Sequence, residues 1–121
     1  MKVMLVDDSN TMRRIQKNVI EQVGITDIAE AADGKDAYEK LSENPVDIIL
    51  LDWNMPNMDG ITFLKAIRSM EKFNAIKVIM CTSESEKPKI LEALKAGANS
   101  YIVKPFTPEI LMAKLKELKL I

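Results

Sequence analysis

In the stretch Ile48-Ile49-Leu50-Leu51-Asp52-Trp53-Asn54-Met55-Pro56-Asn57-Met58-Asp59-Gly60, four apolar residues lead without interruption into a carboxylate. An uninterrupted apolar run of this length predicts a strand buried on both faces of a parallel sheet. Asp52 then stands at the carboxyl end of that strand, where open α/β sheets place their chemistry. Pro56, Asn57 and Gly60 end the strand and begin a loop, and Asp59 reads with Gly60 as turn chemistry inside it.

Three further apolar runs have the same character: Val3–Val6, Val78–Cys81 and Tyr101–Val103. A weaker one, Ile28 to Ala31, is interrupted by Glu30 and reads as an edge strand. Between the runs the apolar period becomes helical. Ile15, Val19, Ile20 and Val23 share one face, closed by Gly24 as C-cap. Ala37 and Leu41 mark a second helix, and Phe63, Leu64 and Ile67 a third. Ile90, Leu91 and Leu94 mark a fourth, closed near Gly97. Ile110, Leu111, Leu115 and Leu118 mark the last, with Pro108 in its first turn, where a missing N–H costs nothing. Five strands alternating with five helices through short connections imply a doubly wound parallel sheet covered on both faces.

At 121 residues the chain predicts a single domain spanning 1–121. Its last helix runs to the final residues, so a stand-alone domain is expected. With 47% apolar and 29% charged residues it has the composition of an ordinary globular protein. The eight methionines read as core filler. Seventeen basic residues against 18 acidic ones give no basis for bulk attraction to nucleic acid or membrane. A lone cysteine, Cys81, excludes an internal disulfide, fits a reducing compartment and reads as a small buried hydrophobe. No secretory h-region follows Met1-Lys2, and no apolar stretch approaches the ~20 residues of a spanning helix, so a cytoplasmic location is expected. The absence of histidine removes imidazole acid–base chemistry and imidazole metal ligation. The only glycines are Gly24, Gly34, Gly60 and Gly97, which rules out a P-loop and a dinucleotide fingerprint.

The strand ends gather one set of groups: Asp7 and Asp8 after the first, Asp52 after the third, Thr82 after the fourth, Lys104 after the fifth. In a flavodoxin-like strand order, 2-1-3-4-5, the first and third strands are neighbours, and the three aspartates meet in the crevice between them. Like charges at that spacing repel, and a divalent cation removes the conflict. All-oxygen ligands select a hard ion, and Mg²⁺ is suited to a few carboxylates, waters and a phosphate oxygen. Lys104 offers a positive charge and Thr82 a hydroxyl donor for phosphate oxygens. Together these supply what phosphoryl transfer to a carboxylate requires. Taken singly, the Asp-Asp pair could merely lead into a helix capped by Ser9 or Asn10.

The segments Val6-Asp7-Asp8-Ser9 with Thr11-Met12-Arg13-Arg14-Ile15, Asp52 through Gly60, and Lys104-Pro105-Phe106-Thr107 are those of a response-regulator receiver domain, and the chain resembles the stand-alone chemotaxis members of that family over nearly its whole length. The resemblance implies that Asp52 accepts a phosphoryl group from a kinase's phosphohistidine. Asp8, Asp52 and the backbone carbonyl of Asn54 would bind Mg²⁺, with Asp7 acting mostly through water. Thr82 and Lys104 would contact the phosphoryl group, and Tyr101 would change rotamer as Thr82 is drawn inward. The Lys104–Pro105 bond would be cis, and Asn54 and Glu84 would tune hydrolysis of the acyl phosphate. A monomeric switch is implied, with a chemotaxis histidine kinase as donor, the flagellar motor switch as target, and room for a dedicated phosphatase. Phosphoryl transfer to and from itself would be its only chemistry; it would not be an enzyme otherwise. The alternatives are a phosphorelay intermediate of the same fold, a haloacid-dehalogenase-like Mg²⁺-dependent phosphatase and a purely structural module. The phosphatase would want an aspartate two places after its nucleophile, where Asn54 stands.

Overall fold

The computed structural model describes all residues, Met1–Ile121. Strands β1 (Lys2–Val6), β2 (Asp27–Ala31), β3 (Ile48–Leu51), β4 (Lys77–Thr82) and β5 (Ser100–Val103) alternate with helices α1 (Asn10–Gln22), α2 (Gly34–Glu43), α3 (Gly60–Arg68), α4 (Ile90–Lys95) and α5 (Pro108–Glu117). The five strands form one sheet in the order β2-β1-β3-β4-β5, every pair parallel. The doubly wound flavodoxin-like order expected from the alternation is the order observed, and Ile28–Ala31 lies in an edge strand.

Side chains of a strand alternate between faces, so an all-apolar run must be covered twice. Met4, Val6, Ile49, Leu51, Val78 and Met80 pack with Ala37, Leu41, Phe63, Leu64, Ile67 and Ala93, burying α2, α3 and α4 against one face. Val3, Leu5, Ile48, Leu50, Ile79 and Cys81 pack with Val19, Ile20, Leu111 and Leu115, burying α1 and α5 against the other. Cys81 is 1% exposed, and its burial in apolar surroundings pushes the thiol pKa far up. No helix is long and apolar enough to cross a membrane.

Helix rotation departs from the simple apolar pattern in three places. On α1, Ile15 is exposed and Gln16 is buried. Val19 and Ile20 fix the buried face, and at 3.6 residues per turn position 16 falls between them while position 15 falls about 40° outside. Ile110 is likewise exposed, about 100° from Leu111, whereas Leu111 and Leu115 face the sheet. The fourth helix turns inward on Ala93, leaving Leu91 61% and Leu94 40% exposed. Its regular part starts only at Ile90, because Pro88 has no N–H for an α-helical bond and Glu84–Lys89 winds as a 3-10 turn.

Asp59, expected within a loop, is instead the N-cap of α3: its carboxylate accepts the N–H of Thr62 at 2.9 Å. Gly60 opens that helix against the end of β3, at Asp52. A Cβ at this position would lie 2.0 Å from the carbonyl oxygen of Asp52, so only glycine permits the approach. Ser9 caps α1, accepting the N–H of Met12, and Thr107 caps α5, accepting that of Ile110.

Candidate functional site: an acidic cluster at the carboxyl edge of the sheet

The register places Asp7, Asp52 and Lys104 one residue past the ends of β1, β3 and β5, Thr82 at the end of β4, and Asp8 one residue beyond Asp7. Val6 pairs with Leu51, Leu51 with Met80, and Thr82 with Val103. The backbone ladder then continues by single bonds. Asp52 N–H donates to Val6 O at 2.9 Å, Asp7 N–H to Ala31 O at 3.1 Å, and Lys104 N–H to Thr82 O at 2.8 Å. Asp7, Asp52 and Lys104 are therefore held by the sheet itself, not by a free loop.

Asp7, Asp8 and Asp52 bring carboxylate oxygens within 4.8 Å of one another. Asp7 and Asp52 are buried and Asp8 is exposed. Lys104 reaches over them: its Nζ is 2.7 Å from Asp52 Oδ1 and 3.7 Å from Asp7 Oδ2. The Trp53 N–H also donates to Asp52 Oδ1, at 2.9 Å. Hydrogen bonds thus saturate one oxygen of Asp52, and Oδ2 is engaged by none.

The electrostatics record the crowding. Burial raises the Asp7 pKa; the Ser9 N–H and Lys104 pull it back, while Asp52 and Asp8 push it further up. Burial would lower the Lys104 ammonium, but its bond to Asp52 and the charges of Asp52 and Asp7 carry it above its ordinary value. Asp7 Oδ2 and Thr82 Oγ1 are buried without a hydrogen-bond partner. Natural folds rarely leave such atoms unpaired except where a ligand, ion or reaction uses them. Three oxygen donors, one of them an orphaned buried carboxylate oxygen, suit a hard divalent cation of the Mg²⁺ type.

Tyr101 is half-buried against the core, with the Lys114 ammonium 4.7 Å above its ring. The Lys104–Pro105 bond is cis. Asn54 lies on the exposed loop after Asp52, and its carboxamide donates to Glu86 Oε2 at 2.9 Å. Glu84 is not brought to the acidic cluster; it is exposed and pairs with Lys87 at 3.2 Å. The carboxylate that reaches the site's margin is Glu86, which sequence reasoning passed over. Its one sequence signal is the spacing Ser83-x-x-Glu86, that of a capping box.

The chain belongs to the response regulator receiver domain family: the sequence model of that domain matches residues 3–116. Members of this family are signalling modules that generally bind Mg²⁺ at an acidic pocket, and this chain carries a cluster of Asp7, Asp8 and Asp52. The haloacid-dehalogenase-like alternative is set aside by this membership. The chain is 49% identical to chemotaxis protein CheY1 of Helicobacter pylori, over 96% of this chain and 94% of the relative. It is 44% identical to chemotaxis protein CheY of Pseudomonas aeruginosa, over 98% and 95% respectively. Among solved structures, the chemotaxis response regulator CheY4 of Vibrio cholerae superposes with a TM-score of 0.85 at 35% identity, covering 97% of each chain.

Proposed function

We propose that this chain is a chemotaxis response regulator of a two-component system, phosphorylated on Asp52 by a histidine kinase. The observation that carries this reading is the state of Asp52: Lys104 and the Trp53 N–H occupy Oδ1, and Oδ2 is left as a positioned nucleophile. The chemotaxis names of relatives that match nearly end to end support the pathway.

In the transfer, Asp52 Oδ2 attacks the phosphorus of a phosphohistidine. The P–N bond breaks, its electron pair leaves with the imidazole nitrogen, and that nitrogen takes up a proton. Mg²⁺, held by Asp8, Asp52 and the Asn54 carbonyl with Asp7 acting through water, would neutralise charge between the acceptor and the incoming phosphate. Lys104 follows the negative charge from Asp52 Oδ1 onto a phosphoryl oxygen. Thr82 then gains the acceptor that its buried hydroxyl lacks. Both groups acquire partners only in the phosphorylated state, so phosphorylation biases a two-state equilibrium of the strand-end loops. Tyr101 transmits the change to the α4–β5–α5 face, where Leu91 and Leu94 are exposed for a flagellar motor switch protein. Hydrolysis of the acyl phosphate, unaided or by a dedicated phosphatase, resets the switch.

Intact mass after incubation with phosphoramidate tests this, with Mg²⁺ or EDTA, beside Asp52→Asn. A single labile phosphoryl adduct that requires both Mg²⁺ and Asp52 is expected. An inert chain under every condition would reduce the protein to a plain binding module.

A further inference from the structure

Glu86 is a carboxylate nine-tenths buried with no cationic partner: none of the ion pairs includes it. A buried charge of that kind depends wholly on hydrogen-bond donors. Glu86 has three. Oε1 accepts the Ser83 N–H at 2.9 Å and the Ser83 hydroxyl at 3.1 Å; Oε2 accepts the Asn54 carboxamide at 2.9 Å. Ser83 directly follows Thr82, and Asn54 lies two residues after Asp52. One side chain therefore ties the loop that leaves the phosphoacceptor to the loop that leaves the hydroxyl donor.

We propose that Glu86 is a positioning residue, a latch joining the Asn54 loop to the Thr82–Ser83 loop, and that this latch opposes switching. The inference rests on Asp52 being the phosphoacceptor. Thr82 Oγ1 has no partner where it stands; in the proposed switch it is drawn inward to a phosphoryl oxygen, and the Ser83 backbone follows. That motion draws Ser83 away from a carboxylate anchored to Asn54 on the opposite loop. The latch is satisfied in the resting arrangement and strained or broken in the other, which shifts the equilibrium toward rest by the free energy of its bonds.

The probe is beryllium trifluoride, a phosphoryl mimic, titrated at saturating Mg²⁺ and followed by Trp53 fluorescence. Glu86→Ala and Asn54→Ala should each tighten its binding by about fivefold, the factor that one hydrogen bond of ordinary net strength corresponds to. Mg²⁺ affinity of Glu86→Ala in the absence of the mimic should stay at the wild-type value, which a merely loosened fold would not manage. The double variant should bind no more tightly than either single one, because either substitution already opens the link between the two loops. Glu86→Gln should restore wild-type binding: its carbonyl can still accept from Ser83, and its amide can donate to a flipped Asn54. Independent effects of the two substitutions, unchanged affinity in Glu86→Ala, or weaker binding would each overturn the latch. Hydrogen exchange of the unmodified protein decides the matter without the mimic. The Ser83 amide should exchange faster in Asn54→Ala, which leaves Glu86 in place, and equal rates would again overturn the proposal. Wild-type protein that ignores beryllium trifluoride would instead sink the phosphoacceptor reading, while exchange at Ser83 would still test the latch.

Discussion

At the amino edge of the sheet, Arg68 carries a charge into the protein and commits its donors to neutral oxygens. Nε donates to Gly97 O, one terminal nitrogen to Phe73 O, and the other to Ile76 O and Asn99 Oδ1, at 2.7–3.0 Å. Asn99 Oδ1 also accepts the first N–H after Lys77, that of Val78. At the carboxyl edge of the same sheet, three carboxylates crowd around the one ammonium of Lys104, and buried Asp7 Oδ2 and Thr82 Oγ1 have no hydrogen-bond partner. One edge is completed by the fold; the other keeps buried polar atoms that the fold does not satisfy. Stability and function are thus separated along the strand direction, and substitutions at the two edges should move in opposite senses.

The largest effect is expected at the amino edge. Arg68→Ala takes the guanidinium's donors from three carbonyls and the Asn99 carboxamide, and should cost about 3 kcal/mol in urea unfolding, with Mg²⁺ affinity unchanged. A loss confined to Mg²⁺ binding would contradict the separation. Asp7→Asn should instead raise the melting temperature of the metal-free protein by a few degrees, because burial and neighbouring carboxylates disfavour its charged form. Mg²⁺, which stabilises by binding the folded state alone, should then add less than it does to the wild type. A destabilised Asp7→Asn protein would show that the cluster is finished without a cation.

Next in size is Asp59→Ala, about 1 kcal/mol for a lost N-cap at neutral pH. The Thr62 hydrogen bonds hold Asp59 below its ordinary pKa, so its stabilisation is present above the unfolded value and lost as pH falls through the folded one. The gap between wild type and Asp59→Ala should therefore close below about pH 4. Asp7 has the opposite sign. Its charged form costs stability above its raised pKa, and the cost disappears as pH falls toward the ordinary carboxylate value. The Asp7→Asn advantage should close at a higher pH than the Asp59 gap, and coincident midpoints in the two melting series would refute the assignment. The smallest effect is Lys114→Ala, about 0.5 kcal/mol for a half-buried cation over the Tyr101 ring, read by chemical denaturation.

Strand ends were legible because a buried parallel strand leaves an unmistakable apolar run, and the residue after it can be named. Asp7, Asp52, Thr82 and Lys104 all fall at those positions. Helix rotation was less legible. A short amphipathic segment with one polar residue inside and one apolar residue outside, such as Gln16 and Ile15, is resolved only by what the helix packs against. Capping by Asp59 was hidden by Gly60, which marks a turn as readily as a helix start. Glu86 was hidden by Glu84: two carboxylates on one turn look alike in sequence, and only the 3-10 winding before Pro88 turns one inward and the other to solvent.

The sealed position of Cys81 has a practical consequence for watching this molecule move. A thiol that is neither accessible nor ionised at neutral pH is not attacked by maleimides. A cysteine placed on the surface, at Leu91 for instance, would be the sole site of reaction in the folded protein. A single fluorophore or spin label could then report on the fourth helix with the native core left intact.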